Sequence, residues 1–177
     1  MSAAADLVIS RRIGAPRERV WQAWTESNGL ARWWGPSGYT VTFCTIDLRV
    51  GGTFLLCMHS PDGKDIWSTG IYREVVEGAR LVVTDSFADE AGNVVPPTTY
   101  GYAPDFPEAL LLMVTFAEHD GGTELTVRHR GIPLGEDYGS TRIGWSQSLR
   151  RLATLLEPVR HSFSSTSTGG SRAEIGQ

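Results

Sequence analysis

"STRIGWSQSLRRLATLLEPV", residues 140–159, carries Trp145, Leu149, Leu152, Leu156 and Val159 at steps of four, three, four and three. That spacing keeps returning to one side of a 3.6-residue turn, while Gln147, Arg150, Arg151, Thr154 and Glu157 fall on the other side. The segment therefore predicts one long amphipathic helix over Ser140–Val159, with Leu152 buried and Arg151 in water. Such a stripe must lie on another apolar surface, and the preceding sequence supplies one in the form of strands.

From Tyr39 onward the hydrophobic period is two. "YTVTFCTIDL" runs to Gly51-Gly52, "TFLLCMHS" ends at the turn signal "PDGKD", and "IWSTGIYREVV" follows as its hairpin partner. "ARLVVTDSFA" comes next, and "ALLLMVTFAEH" and "TELTVRHRGI" flank "DGG", the clearest hairpin in the chain. With "DLVISRRI" (Asp6 to Ile13) near the start, the pattern predicts seven strands. Between the first strand and the rest, "APRERVWQAWT" reads as a helix with Pro16 in its first position and Val20, Trp21 and Trp24 on one side. Ser27 can cap a second short helix bearing Leu30, Trp33 and Trp34, which Gly35-Pro36 stops.

The resulting class is α+β: a curved antiparallel sheet of about seven strands wrapped around a long C-terminal helix, with two short helices after the first strand. A sheet that curls around one helix without closing on it leaves an apolar chamber, with a mouth between helix, loops and sheet edge. Trp33 and Trp34 stand where the second short helix turns into the sheet. Adjacent helical positions diverge by about 100°, so Trp33 is expected to pack inward and Trp34 to meet the mouth.

Composition narrows the functional classes. The chain has 177 residues, 41% hydrophobic and 20% charged, which fits one domain over residues 1–160. Ser162 to Gln177 is rich in Ser, Thr and Gly, and residues 161–177 read as a flexible tail. A net charge of -4 gives no footprint for nucleic acid. No apolar run approaches the length of a membrane span, so no insertion is expected. Cys44 and Cys57 lack CxxC spacing and read as small core or sheet residues, which with the absence of a signal-peptide pattern predicts a reducing, cytoplasmic setting.

The motifs "RWWGP", "IDLRVGG", "SPDG", "GIYREVVEGARLVVTDSFADEAGNVVPPTTYG", "VTFAEHDGGTELTVRHRG" and "GWSQSLRRLATLL" occur in register over about Asp6 to Glu157. In order and spacing they resemble the activator-of-heat-shock-protein-ATPase homologue family. That family lies within the START-like, or SRPBCC, helix-grip superfamily that also holds the birch-pollen-allergen-like proteins. The resemblance implies a helix-grip cavity for hydrophobic ligands, a chaperone partner and a place in stress response. It implies no particular reaction, because this frame carries many functions.

The side chains supply the remaining candidates. No GxSxG, CxxC, HExxH, P-loop or GxGxxG motif is present, so neither a metal nor a cofactor is assigned, and no catalytic residue. His119, His161 and His59 sit at turns or in the tail and read as solvated. His129 shares a strand face with Leu125 and Val127, pointing toward the helix. It is either a core-edge histidine bonded to a carbonyl or a Tyr hydroxyl, or a polar anchor or acid/base in the chamber. Asp85 is in phase with Leu81, Val83 and Phe87, and faces either water at a strand end or the cavity, where it would need a partner. Asp47 and Arg49 read as a charge pair at the corner before Gly51-Gly52, with a ligand-carboxylate clamp by Arg49 as the alternative.

The irregular segment Ala88 to Ala109 is longer than ordinary connections and reads either as a semi-rigid flap, with Tyr100 and Tyr102 as its polar aromatic contacts, or as a solvent loop pinned by its aromatics. The chamber walls are then expected from Phe43, Phe54, Leu56, Met58 and Trp67 on the early strands. Leu112, Val114 and Val127 on the late strands and Trp145 and Leu149 on the helix complete them, with Trp33 and Trp34 at the entrance and Asp85 and His129 as polar points. The function read from this is binding of a small hydrophobic or amphipathic molecule, lipid-like or aromatic, in the manner of a carrier or sensor. The competing readings are a protein-interaction module and a cyclase- or hydrolase-type enzyme using the same cavity. Exposed aromatic rims would suit a homodimer.

Overall fold

The structure, a computed structural model, describes residues 3–159; the expected tail at 161–177, with His161, lies outside the described residues. The chain runs β1 (Ala4–Ile13), α1 (Arg17–Thr25), α2 (Ser27–Leu30), β2 (Thr40–Ile46), β3 (Thr53–His59), β4 (Asp65–Val76), β5 (Arg80–Ala88), a 3-10 turn (Pro97–Tyr100), β6 (Leu110–His119), β7 (Gly122–Pro133) and α3 (Glu136–Leu156). All strands form one antiparallel sheet in the order β1-β7-β6-β5-β4-β3-β2. The first strand thus lies beside the last, and the others are consecutive hairpins. Among the described residues no helix is long and apolar enough to cross a membrane.

Local chemistry accounts for the sharpest turn. His119 pairs with Gly122, leaving Asp120-Gly121 as a two-residue loop. Both residues have positive φ, 47° and 77°, as a type I′ turn demands, and Asp-Gly meets that demand at little steric cost.

The long helix differs from the periodic reading at both ends. It begins at Glu136, after Gly135 at φ 112°, rather than at Ser140, and Glu136 and Asp137 place negative charge in its first turn. It stops at Leu156 because Pro158 disfavours helical backbone in the residue before it, and Glu157 is extended at ψ 139°. Val159 therefore lies beyond the helix and is 81% exposed, a correction to its expected burial. Trp145, Leu149, Leu152 and Leu156 are buried as the stripe predicts. α3 lies against β1, β7 and α1, while α1 reaches β6 and α2 reaches β2.

Arg151 is a second correction, because it does not face water. Its Nη1 donates to the carbonyls of Gly35 and Tyr39 at 3.0 Å each, Pro36 at 3.2 Å and Trp34 at 3.3 Å. One helical turn earlier, Gln147 Oε1 accepts from the Ser37 backbone N–H at 3.0 Å. The supposed solvent flank of α3 thus holds the loop that follows the two tryptophans. Hydrogen bonds to a charged group contribute about 1.5–3 kcal/mol, and Arg151→Ala should destabilise by an amount of that order. A urea midpoint equal to the wild type's would show that the loop holds itself.

The tryptophans leave the regular helix earlier than expected. α2 ends at Leu30, and Trp33 and Trp34 sit in the succeeding turn, whose backbone N–H groups both still reach the Leu30 carbonyl. Trp33 is 0% exposed, and its indole donates to the Ala23 carbonyl at 2.9 Å. Trp24 joins the group, 4.8 Å from Trp33 and stacked on Trp145 at 6.0 Å. One aromatic cluster therefore ties α1, the turn and α3 together.

Two expected wall residues lie on the wrong side of the sheet. In β2, Val41 pairs with Met58 and Phe43 with Cys57, so Thr42 is an extra residue with no opposite number. Such a bulge breaks the alternation. Val41, Cys44 and Ile46 pack toward the core, and Phe43 turns outward, 43% exposed. Trp67 pairs with the same Cys57 and stands beside Phe43, ring centroids 5.5 Å apart, on the outer face. β4 carries bulky residues in both phases, and the phase that turns inward holds Gly70 and Tyr72 instead. A Cβ at Gly70 would collide first with the Thr84 carbonyl and then with the Phe54 ring.

Candidate functional site

Alternation along β3 to β6 aims Phe54, Leu56, Tyr72, Leu81, Val83, Asp85, Leu112 and Val114 at one hollow. Trp24, Leu30 and Trp34, carried by α1, α2 and the turn after it, close it from the helical side. The free space inside is about 30 Å³, room for about one water molecule. An organic guest therefore needs side chains to give way. The Asp85 side chain is 31% exposed, which places its carboxylate at the end of the chamber that reaches solvent.

Three elements build the polar point. His129 of β7 is buried, with Nε2 3.3 Å from Asp85 Oδ2 of β5, close enough to attract but not aligned as a hydrogen bond. Trp145 of α3 donates its indole N–H to His129 Nδ1 at 3.2 Å. An indole N–H can only donate, so Nδ1 accepts and the ring proton belongs on Nε2, facing Asp85. The histidine thus finds neither a carbonyl nor a Tyr hydroxyl, and its Nε2–H side lies beside the carboxylate without a hydrogen bond to it. Asp85 borders the chamber, with the His129 ring beside it but not hydrogen-bonded to it.

Near Asp85 the flap begins. Phe87, two positions on, packs with Tyr102 at 4.8 Å, Tyr100 at 5.1 Å and Phe106 at 6.3 Å. Burial holds the Tyr102 phenol above its ordinary pKa, and the negative charges of Asp137 and Asp85, then Tyr39, push the same way. Tyr102 therefore senses both carboxylates. Tyr100 is engaged elsewhere: its hydroxyl donates to the Ala88 carbonyl at 2.7 Å and accepts from the Trp67 N–H at 3.2 Å, pinning the flap to the sheet.

Of the residues singled out in the sequence, Trp34, Phe54, Leu56, Asp85, Leu112 and Val114 border the chamber. Trp33, Val127 and Leu149 belong to the solid core beside it, and His129 and Trp145 reach it through Asp85 and Trp34, respectively. Met58 packs beside the turn at Gly35, whose φ of +104° suits glycine and whose missing Cβ leaves room for the Met58 sulfur. Phe43 and Trp67 are not brought to the site. Trp24, Leu30, Tyr72, Leu81 and Val83 were not singled out as walls, although their periodic phase already turned Trp24, Leu81 and Val83 inward.

The remaining polar residues have ordinary structural work. Arg49 binds Asp47 through Nε at 3.2 Å and Nη2 at 2.9 Å, as the corner pair predicts. His59 meets Asp65 at 2.7 Å and His119 meets Asp120 at 3.4 Å. Burial pushes the Cys44 thiol up to about 11, against a weaker opposing bond from Ser27, so no reactive thiolate forms there. Burial likewise raises the Tyr72 phenol, with Cys44 adding to the shift, and keeps it neutral in the chamber wall. No group of three or more metal-ligating side chains occurs among the described residues.

Comparison with solved structures returns the same architecture. A crystal structure of a protein from Chromobacterium violaceum is 30% identical with a TM-score of 0.70, covering 88% of this chain and 99% of that one. A Mycobacterium smegmatis protein is 28% identical with a TM-score of 0.71, covering 89% and 93%. The AHSA1 protein from Silicibacter pomeroyi is 26% identical with a TM-score of 0.64, covering 86% and 97%. No curated protein matches the sequence significantly. The family model described as activator of Hsp90 ATPase homolog 1-like protein matches residues 14–157, from the end of β1 through α3. The chain belongs to that family.

Proposed function

We propose that the protein binds a small hydrophobic or amphipathic molecule in this chamber, as a carrier or sensor. The observation that carries the reading is the lining itself: ten uncharged, largely apolar side chains and one carboxylate at the open end. Convergence of apolar walls on a single polar group is the usual composition of a small-molecule site. The small free volume makes binding a matter of side-chain displacement, and Trp34 and Phe54 are the half-buried aromatic residues of the wall. Burial of apolar ligand surface at about 25 cal/mol per Å² would drive it.

A neutral apolar dye, N-phenyl-1-naphthylamine, should be taken up by the wild type with enhanced fluorescence. Val83→Phe fills the chamber at a strain cost of about 1–3 kcal/mol and should reduce uptake tenfold or more while the far-UV circular dichroism stays native. A folded wild type that leaves the dye dark would remove the carrier reading.

A further inference from the structure

We infer that the guest of this chamber is a cation, an apolar molecule bearing one protonated amine that the Asp85 carboxylate receives among aromatic walls. The inference rests on the proposed chamber function and adds the charge of the head group. Asp85 is the one charged residue of the lining. A guest that fills the chamber takes water away from this carboxylate, and a buried carboxylate is costly without a positive partner.

Among the described residues, no side chain supplies that partner at the chamber. His129, 3.3 Å away, accepts the Trp145 indole N–H at Nδ1, which leaves its ring proton on Nε2, and it makes no hydrogen bond to Asp85. Arg151 comes close to the Trp34 turn, but its Nη1 is shared among four loop carbonyls. The N-terminus of α3, the other source of positive potential, carries Glu136 and Asp137 in its own first turn. Asp137 acts on the same Tyr102 phenol as Asp85, and both contributions are negative. An anionic head group would meet repulsion from Asp85.

The walls agree with the charge. Trp24, Trp34, Phe54 and Tyr72 present rings to the hollow, and aromatic faces attract a cation with a strength that grows when water is excluded. A carboxylate set among aromatic rings recognises an organic ammonium through one charge-assisted hydrogen bond and several cation–π contacts.

Calorimetric titration of the wild type at pH 7 with 1-naphthylmethylamine, 1-naphthalenemethanol and 1-naphthoate separates the head group from the ring. The amine should bind about tenfold or more tighter than the alcohol, and the carboxylate should bind least. Asp85→Asn, of the same size, should erase the gap between amine and alcohol and leave the alcohol's affinity nearly unchanged. Equal binding of the three, or preference for the carboxylate, overturns the cation inference and leaves the chamber standing. So does an amine preference that survives in Asp85→Asn. Failure of all three to bind overturns both readings. If Asp85→Asn does not fold, the wild-type series still decides.

Discussion

Trp33→Ala is expected to destabilise the protein by about 3–5 kcal/mol, the range for loss of a core tryptophan. The ring is wholly buried, touches Trp24 and Trp34, and spends its indole N–H on the Ala23 carbonyl. Alanine would leave a void among three elements and a helix carbonyl without its partner. Against a total stability of about 5–15 kcal/mol for a typical domain, that is a large share. Trp34→Ala, at a half-buried ring on the chamber wall, should cost clearly less. Urea unfolding of both variants, followed by circular dichroism, checks the order. If Trp34→Ala proves the more damaging, the assignment of core and wall within the pair is reversed.

Leu152→Ala should cost about 2–5 kcal/mol. Leu152 is fully buried on α3, one turn from Leu149 and Leu156, where the helix meets β1 and β7. The size of the loss within that range depends on how far the sheet can relax into the space. Thr154→Ala, on the exposed side of the same turn, is the control and should leave the midpoint close to the wild type's. Equal losses from the two would mean that α3 is turned about its axis from the orientation described.

The elements were legible because each depends on local pattern. Period two marked the six later strands, and the four-three stepping of Trp145 to Leu156 marked the helix. The candidate site was legible only in part. Strand phase allowed Asp85 to turn inward and aimed His129 at the helix, but joining the two requires β5, β7 and α3 at once, and no local spacing reports that. Arg151 shows the same limit from the other side: its place next to Leu152 on the helical wheel reads as solvent until a distant loop folds over it. Periodicity also sorts residues by face without saying which of them border a void. Tyr72 and Val83 line the chamber while Val127, equally inward, packs solid.

The unpaired Thr42 makes the in–out alternation of β2 behave like a reading frame with a one-residue shift. Upstream of it the odd position Val41 is read inward; downstream, the even positions Cys44 and Ile46 are. Removing that residue would restore one frame and exchange the sides of every position on one arm of the strand, with no change in any side chain's chemistry. β2 is also an edge strand, free on one side, so such a shift meets resistance from a single neighbour. Whether a phenyl ring or a thiol faces the helices at this edge is thus decided by chain length rather than by substitution.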